Sequence, residues 1–480
     1  MTENNPNILL LILDSVRAKN TSLHNNNLKT TPYINKLTKD FDFYTNARAP
    51  SSWSLPSHAS IFTGEHPHSH GITHTGKTLP EGNTIFESLQ NKGYKTSVFT
   101  QNPFLVTQKN GLCVFEHVAD IDRMKFPEAL DAEKFVFSEG EGQYISYLKA
   151  SLQHQKPLKS LLNGIELKLR HSNQEIPFTA DSVLSPGKKI AEEFNTWICE
   201  NDTSPWATCI NLMDAHTPYE PTKNYESTPQ SRKLENQIDN YIWDFYSGEK
   251  PWWLLKSMEP LYNDSIRDAD YAVKSIIENL KTQGLFENTL IVVTSDHGEA
   301  FGEFSETNQQ QKIAGHGRWL TEELIHVPLL VKKPQQKQTK TITKPSSLTE
   351  FPAVVKSVLE NSNSTFVPQN EPVISSVHWE DTHLIRDFYH EKMPIQVLNK
   401  QAKAVYEEKP NSVKKTLKRG DNTTVWDVHS ATSKQMINDE SAEIEKIFNS
   451  LKTQKINTKT EKNEGYSSET IENLKDLGYA

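Results

Sequence analysis

Short apolar segments that end in a polar or acidic residue are the feature that most restricts how this chain folds. The segment at residues 8–13 is uninterrupted and is followed by Asp14. Six apolar residues are too few for a membrane helix, which needs about 20, or for the hydrophobic part of a signal peptide. A continuous apolar run of this length is typical of a strand that is buried on both faces of a parallel sheet.

Similar runs alternate with helical patterns up to about residue 335. Strands are predicted at 95–100, 206–213, 290–294 and 327–331, and helices at 81–92, 186–201, 260–284 and 349–359. This alternation predicts an α/β fold, in which helices sandwich a mostly parallel sheet. We expect one large domain over residues 1–360, with insertions at about 115–180 and 222–258. A smaller C-terminal α+β subdomain over 361–480 would contain short antiparallel strands, a helix and a mobile tail.

The composition sets further limits. The 480 residues carry 52 Lys and Arg against 61 Asp and Glu, and this net charge of −9 argues against nonspecific binding of nucleic acid. Cys113, Cys199 and Cys209 are far apart and lack CxxC spacing, so neither a disulfide framework nor a zinc knuckle is predicted. Because no signal peptide or membrane span is visible, we expect a cytoplasmic protein.

Candidate metal ligands follow three of the predicted strands. Asp14 follows the strand at 8–13, and Asp214 and His216 follow the strand at 206–213. Asp296 and His297 follow the strand at 290–294. The carboxyl ends of parallel strands meet at one sheet edge, where ligands bind. A single Asp there is more often a turn cap, but three at equivalent positions are harder to explain in that way. Oxygen ligands with one imidazole suit Ca²⁺, Mg²⁺ or Mn²⁺.

A candidate nucleophile lies in the segment at residues 51–64. Ser54 comes just before Pro56 and a helical apolar run that ends at Gly64. A helix N-terminus attracts anions, and a serine beside a cation can attack sulfur or phosphorus. The alternative is that Ser54 is an ordinary helix N-cap.

Five motifs, in this order, resemble the sulfatase branch of the alkaline-phosphatase superfamily over about residues 6–360. They are the strand and aspartate at 7–14, Ser-Leu-Pro-Ser-His at 54–58 with Phe-Thr-Gly at 62–64, His-Thr-Pro-Tyr at 216–219, Thr-Ser-Asp-His-Gly-Glu at 294–299, and the segment 316–329. A short motif at 469–479 is also similar to the end of many such proteins. The resemblance implies an alkaline-phosphatase-like fold and a metal-dependent hydrolase of sulfuric esters.

The resemblance also implies a metal site and a nucleophile. Asp14, Asp296 and His297 would bind one divalent metal, for which Ca²⁺ is preferred over Mg²⁺ or Mn²⁺, and Ser54 would complete the site. In sulfatases a maturase converts this nucleophile to formylglycine, whereas relatives that transfer phosphoryl groups use an unmodified Ser or Thr.

Further residues would act on the substrate, which is a small-molecule or carbohydrate sulfate or phosphate ester. His216 and His316 would contact the substrate oxyanion or protonate the leaving group. Arg17 and Asn102 are candidates for binding the substrate.

A second metal would need more ligands, which Asp214, His216 and His316 could supply.

Four positions depart from the family pattern. Ser15 stands where sulfatases have a second aspartate, and His58 replaces the arginine that supports formylglycine. Asn102 lies where many members carry Lys-Trp-His, and His316 falls near a position that is often Lys. Less fixed positive charge near neutral pH also suits other monoanionic esters. The alternatives are therefore a phosphodiesterase, phosphonate monoester hydrolase or phosphoglycerol-type transferase that uses unmodified Ser54, and a catalytically inactive binding protein.

The predicted insertion at 222–258 contains Trp243, Trp252 and Trp253. Such a cluster is more often used for packing or as a lid. The alternative is an aromatic platform on which a sugar stacks.

Overall fold

The computed structural model describes residues 5–107, 110–120, 144–171, 185–201, 205–222, 243–369, 371–378 and 400–451, with a few single positions and the pair 459–460. The strands are β1 Asn7–Leu13, β2 Asp42–Tyr44, β3 Ala47–Arg48, β4 Lys77–Thr78, β5 Lys95–Thr100, β6 His117–Asp120, β7 Trp206–Leu212, β8 Thr289–Thr294, β9 Ala300–Phe304, β10 Lys312–Gly315, β11 Leu329–Lys332, β12 Thr341–Ile342, β13 Ser346–Ser347, β14 Val373–Val377, β15 Ala402–Lys409, β16 Ser412–Arg419, β17 Asn422–Ser430, β18 Ser433–Ile437 and β19 Lys459–Thr460.

The α-helices are α1 Pro32–Lys36, α2 Ser54–Thr63, α3 Pro67–His70, α4 Ile85–Gln90, α5 Pro103–Val106, α6 Tyr144–Gln153, α7 Pro157–His171, α8 Pro186–Glu200, α9 Trp243–Tyr246, α10 Trp252–Lys256, α11 Glu259–Thr282, α12 Glu322–Ile325, α13 Phe351–Leu359 and α14 Ile444–Ser450. Short 3₁₀ helices lie at Ala18–Asn20, Leu37–Lys39 and Leu348–Glu350. Within the described ranges, no helix combines the length and apolarity needed to span a bilayer.

One large sheet organises the N-terminal region of the molecule. Eight of the described strands form it, in the order β12-β2-β11-β8-β1-β7-β5-β6. Strands β8, β1, β7, β5 and β6 are parallel, and β1 lies between β7 and β8. Strand β11 is antiparallel to both of its neighbours, β8 and β2. The predicted α/β class with a mostly parallel sheet is confirmed.

Burial on both faces explains why β1 is apolar from Ile8 to Leu13. Its odd-numbered leucines pack in one core cluster with residues of α8 and α11. Ile8, Leu10 and Ile12 pack in a second cluster with residues of α2, α4 and α13. The sheet therefore has a hydrophobic core on each side. Each fully buried aliphatic side chain contributes about 1.5–3 kcal/mol to the stability of the fold, relative to an exposed one. This arrangement fixes β1 at the centre and places Asp14 at the middle of the sheet's carboxyl edge.

A separate antiparallel sheet forms in the C-terminal region, in the order β14-β15-β16-β17-β18. Its Val413, Leu417 and Trp426 pack against Trp319 in a third core cluster. Helix α14 covers the other face through Phe448. The smaller antiparallel sheet that we expected after residue 360 is therefore present, whereas a domain boundary at that residue stays a prediction.

Several element boundaries differ from the predicted ones. The helix predicted at 81–92 begins only at Ile85, because Thr84 is its N-cap and forms a capping box with Glu87. The strand predicted from residue 327 begins at Leu329, after Pro328, which has no N–H to donate to a sheet. The insertion predicted at 115–180 contains β6, α6 and α7, and that at 222–258 contains α9 and α10. Other parts of both, and nearly all of the predicted mobile tail, lie outside the described residues.

Candidate metal centre and nucleophile

Three candidate metal ligands meet at the carboxyl edge of the large sheet. Strands β1 and β8 are parallel neighbours with Ile12 opposite Thr294, so Asp14 and Asp296, each two residues further along, come side by side. The ligand atoms of Asp14, Asp296 and His297 all lie within 4.8 Å of one another, and all three residues are buried. The parallel register thus brings together residues that are 282 positions apart in the chain.

His297 presents Nε2 to the two carboxylates. Its Nδ1–H donates to the Gly298 carbonyl over 2.9 Å, and its Nε2 lies 3.4 Å from Asp296 Oδ2 and 3.7 Å from Asp14 Oδ1. Gly298 is required at this turn because a Cβ there would lie 2.1 Å from the Glu323 carbonyl oxygen. The hydrogen bond to the Gly298 carbonyl fixes the orientation in which Nε2 faces the carboxylates, where it is placed to act as a metal ligand.

Ser54 is the first residue of α2, and its hydroxyl lies against the same group. Its Oγ is 3.3 Å from Asp14 Oδ2 and 3.2 Å from His297 Nε2. The N-cap of the helix is Trp53, so Ser54 is not the ordinary N-cap considered as the alternative. The partial positive charge at the start of this 10-residue helix lies beside the hydroxyl.

Asp14 accepts hydrogen bonds from several side chains. Ser15 Oγ donates to Oδ1 over 3.0 Å, and Asn102 and Asn211 each donate to Oδ2 over 3.1 Å. Ser15 has a left-handed φ of 61°, which also brings its N–H to 3.3 Å from Asp296 Oδ1. Asn102, predicted to bind substrate, is therefore placed where it orients a metal-ligand carboxylate.

His58 lies one helical turn after Ser54 and is fully buried. Its Nδ1–H donates to the Ser54 carbonyl over 2.9 Å and lies 3.5 Å from Asp296 Oδ2. Its Nε2 lies 3.3 Å from Asn211 Nδ2, which donates to it. His58 thus contacts both the candidate nucleophile and a candidate ligand from within the protein, without the permanent charge of an arginine.

His216 and His316 extend the site beyond His297. The His316 ring centroid is 4.5 Å from that of His297 and 5.1 Å from that of His216. His216 Nδ1–H donates to the Thr217 carbonyl over 2.8 Å, and His316 Nδ1 is 2.9 Å from Glu299 Oε2. Burial raises the pKa of Glu299 to about 7 and, with the neighbouring histidines, holds the pKa of His316 well below its usual value. Both imidazoles are therefore held in fixed orientations beside the metal-ligand group.

Burial and mutual charge control the protonation of the ligands. Burial opposes ionisation of Asp14, but the charges of His216, His297 and His58 outweigh it and lower its pKa to about 2. Burial and then the charge of Asp14 raise the pKa of Asp296. Burial opposes protonation of His297, but the two carboxylates outweigh it and raise its pKa. Two adjacent buried carboxylates therefore repel each other, and the charges of neighbouring histidines offset part of this repulsion.

These donors fit a divalent cation. Two carboxylates and one imidazole form a mixed oxygen and nitrogen set that divalent metals accept. In the described part of the chain, the only cationic side chains within 4 Å of either carboxylate are His58 and His297. A bound cation would remove the repulsion between Asp14 and Asp296, because it would be the largest local charge.

Arg17, predicted to bind substrate, is fully buried beneath the loop that follows β1. Its guanidinium pairs with Glu259, and with Glu303 over 2.7 Å, and it donates to Asn20 and to the Glu299 carbonyl. The guanidinium of Arg17 therefore uses its hydrogen-bond donors on other groups of the protein. The geometry favours a role in positioning the Asp14 loop over contact with substrate.

Asp214, the carboxylate considered for a second metal, is bonded elsewhere. Its Oδ1 accepts from the Gly187 N–H over 3.1 Å, and burial and the charge of Asp268 raise its pKa to about 7. Among the residues that the structure describes, only the group that contains Asp14 brings at least three His, Cys, Asp or Glu ligand atoms close enough to hold a metal. Among the described residues, the geometry therefore provides one candidate metal site.

Two positioning residues were not singled out from the sequence. Asn211 is a polar residue within the otherwise mainly apolar β7, and this interruption is a signal that could have been used. Ser295 accepts from the Val16 N–H over 3.0 Å and donates to the His297 carbonyl over 2.6 Å, so it joins the loops after β1 and β8. Its position inside the Thr-Ser-Asp-His-Gly-Glu motif gave no indication of this role.

Comparisons with known proteins identify the family of this chain. The sequence model of the Sulfatase family matches residues 6–360, and the chain belongs to that family. It is 23% identical over 372 residues to an ulvan-active sulfatase of Formosa agariphila, which covers 75% of this chain and 62% of that protein. It is 25% identical over 353 residues to the N-acetylglucosamine-6-sulfatase of Homo sapiens, which covers 70% of this chain and 58% of that protein. The chain thus spans about three fifths of the length of these relatives.

The fold is also that of solved members of the superfamily. The phosphonate monoester hydrolase of Agrobacterium radiobacter superposes with a TM-score of 0.58 at 17% identity, over 88% of this chain and 89% of that one. This similarity supports the alkaline-phosphatase-like architecture expected from the motifs.

Proposed function

We propose that this protein hydrolyses sulfuric esters at the site formed by Asp14, Ser54, Asp296 and His297. The observation that carries the proposal is the position of Ser54 Oγ, 3.3 Å from Asp14 Oδ2 and 3.2 Å from His297 Nε2. A candidate nucleophile therefore sits at a helix N-terminus, within hydrogen-bonding distance of two of the three metal-ligand candidates. Family membership and the two sulfatase relatives support the same activity.

The residues divide the chemistry among them. Asp14, whose low pKa keeps it ionised near neutral pH, accepts a hydrogen bond from the Ser54 hydroxyl and orients it. Ser54 Oγ releases its proton to water and attacks sulfur. The bond from sulfur to the alcohol oxygen breaks, His216 supplies the proton that this oxygen needs, and the neutral His316 contacts the substrate oxyanion. Water then attacks the sulfur of the Ser54 sulfate ester, which releases sulfate and returns a proton to Ser54 Oγ. A bound divalent metal would supply Lewis acidity toward the sulfate oxygens and would favour the ionised nucleophile. His58 and Asn211 keep the nucleophile and ligands in place.

We propose one metal, held by Asp14, Asp296, His297 and the nucleophile oxygen, with Ca²⁺ preferred over Mg²⁺ or Mn²⁺. Carboxylate oxygens are the ligands that all three cations use, and Ca²⁺ tolerates irregular geometry best. Calorimetric titration of the metal-free protein with each cation tests the order. A second equivalent of bound metal would contradict a single site.

Two forms of the nucleophile are possible, and mass spectrometry separates them. Conversion of Ser54 to formylglycine by a maturase would give the family's usual hydrate nucleophile, whereas unmodified Ser54 would attack directly. Here His58, which replaces the signature arginine, donates a hydrogen bond to the Ser54 carbonyl over 2.9 Å. The peptide that contains Ser54, isolated from the native host, either loses the mass of two hydrogens, as formylglycine requires, or does not.

Hydrolysis of phosphodiesters or phosphonate monoesters is the second candidate activity. Burial, together with His297 and His216, keeps His316 neutral near pH 7, so the site offers less positive charge than one with Lys and Arg. Such a site suits singly charged esters, which include sulfates, phosphodiesters and phosphonate monoesters, over doubly charged phosphate monoesters. Because the site retains the proposed nucleophile and ligands, it gives little support to the alternative of a catalytically inactive binding protein.

A panel of aryl esters tests the proposed function. The metal-loaded protein is assayed with an aryl sulfate, phosphate monoester, phosphodiester and phosphonate monoester, beside the Ser54→Ala variant. We expect the sulfate to be cleaved with the highest kcat/KM, the phosphate monoester with the lowest, and all cleavage to be lost in the variant. A diester that is cleaved faster than the sulfate would favour the second candidate.

Carbohydrate sulfates are the substrates that we propose, because the relatives are named for ulvan and N-acetylglucosamine.

The cytoplasm is the compartment that we propose, because Cys113, Cys199 and Cys209 form no disulfide, as expected in a reducing environment.

A further inference from the structure

A surface cavity of about 420 Å³ lies beside the β9–β10 hairpin, away from the ligands of the metal centre. Its walls include Trp252 and Trp253 of α10, Phe301 of β9 and Lys312 of β10. These tryptophans belong to the cluster that the sequence leaves open between packing and a stacking platform. The proposed reaction makes no use of them.

The aromatic side chains of the cavity differ in exposure. Trp252 packs edge-on against Tyr246 with ring centroids 5.6 Å apart and lies against the core, which makes it a rigid wall. Trp253 is 62% exposed, and Phe304, at the end of the same hairpin, is 52% exposed. Packing therefore explains Trp252 but not Trp253, whose ring presents a broad apolar surface to solvent.

A positive charge adjoins these rings. Lys312 Nζ lies 5.9 Å from the centroid of the Trp252 ring and 5.7 Å from that of the Phe304 ring. Within the described ranges Lys312 takes part in no ion pair, whereas Lys256, on the same cavity, is paired with Glu259. The cavity thus combines apolar ring faces with an ammonium whose charge the described residues leave unbalanced.

The hairpin connects this cavity to the candidate active site. Strand β9 begins directly after Glu299 and β10 ends directly before His316, while Lys312 pairs with Phe304 at the other end. Lys312 is four positions before His316, and strands rise by about 3.3 Å per residue, so the two are about 13 Å apart along the strand. A short oligosaccharide spans such a distance, and a small ester does not.

We propose that this cavity is a subsite for an anionic sugar ring of an oligosaccharide whose sulfate ester lies at Ser54. The apolar face of the sugar stacks on Trp253, and Lys312 pairs with a sulfate or carboxylate substituent of the same ring. This proposal rests on the proposed function for the position of the scissile ester, and it adds the substrate class and the residues that select it.

Binding is measured by calorimetry on the full-length, Ca²⁺-loaded protein that carries Ser54→Ala, with sulfated and neutral dextran tetrasaccharides as probes. We expect the sulfated probe to bind more tightly than the neutral one and to quench tryptophan fluorescence. Trp253→Ala and Lys312→Gln should each weaken its binding by about ten-fold. Tyr271→Ala and Lys400→Gln, which alter exposed residues outside the cavity, are the matched controls and should bind as before.

Kinetics separates failure of the subsite from failure of the proposed function. In an otherwise unchanged protein, Trp253→Ala should lower the ratio of kcat/KM for the sulfated tetrasaccharide to that for the aryl sulfate by about ten-fold. If sulfates are hydrolysed but neither cavity variant changes this ratio or the binding, the subsite is wrong and the function stands. If the probe binds through Trp253 but no ester is cleaved, the proposed function is wrong and the subsite stands.

Discussion

Asn211 Nδ2 donates a 3.1 Å hydrogen bond to Asp14 Oδ2, the same carboxylate oxygen that faces the Ser54 hydroxyl. Asn211 also donates to His58 Nε2 over 3.3 Å, so a single amide contacts both a metal-ligand candidate and the residue that replaces the family arginine. Hydrogen bonds to ligands orient them and tune their affinity for metal. The amide is therefore expected to act on metal binding without touching the substrate.

Replacing Asn211 with Leu keeps the side-chain size and removes both hydrogen bonds. We expect metal affinity to fall by about 10–100-fold, because outer contacts of this kind contribute that much at other metal sites. Calorimetric titration with Ca²⁺ measures the change, and excess Ca²⁺ should restore most of the activity. The Asn35→Leu control alters an exposed asparagine. Unchanged affinity in Asn211→Leu would show that the amide has no part in the site.

Asp296→Asn separates metal binding from fold stability. The metal-free protein holds two buried carboxylates side by side, and burial, followed by the charge of Asp14, raises the pKa of Asp296. The amide removes the charge of Asp296, so the metal-free variant should unfold at the same or a higher temperature than the wild type. Its stabilisation by Ca²⁺, about 2.7 kcal/mol for the wild type when the metal is at 100 times Kd, should be lost.

Thermal unfolding with and without Ca²⁺ measures both effects of Asp296→Asn. Asp421→Asn, which changes a fully exposed carboxylate, should keep the wild-type response. A Ca²⁺-dependent shift that survives in Asp296→Asn would remove this residue from the metal site.

Arg17→Gln tests whether Arg17 binds substrate or supports the fold. Its loss leaves Glu259 and Glu303 without their buried partner, which should lower the free energy of unfolding by about 3–5 kcal/mol. Urea unfolding measures this loss, and the KM of the fraction that stays folded should be unchanged. A raised KM at normal stability would instead support the substrate contact that the sequence predicted.

The sequence pattern was most informative where one local rule decides the outcome. A continuous apolar run predicted a doubly buried strand at 8–13, and strand-end positions predicted that Asp14, Asp296 and His297 would meet. The proposed role of Ser54 depended on recognising a motif, because a serine before a helix is usually a cap. The partners of Arg17 and Asn211 were not predictable, since they depend on which helices and strands become neighbours in space.

Asp214 gives the protein a stability that depends on pH. Burial and the charge of Asp268 raise its pKa from 3.8 to about 7 in the folded protein. Between these two values the unfolded chain releases its proton while the folded protein keeps it. The contribution of Asp214 to stability is therefore complete at low pH, declines as pH rises toward 7, and stays constant above that.

The Asp214→Asn variant keeps an oxygen that accepts from the Gly187 N–H and removes the titration. Relative to the wild type, its free energy of unfolding should rise steadily as pH increases from about 4 to about 7, and then level off. Urea unfolding across this range measures the difference, and Asp421→Asn should show no such trend. A difference that does not vary with pH would mean that Asp214 is ionised throughout, so that burial and Asp268 do not hold its proton in the folded protein.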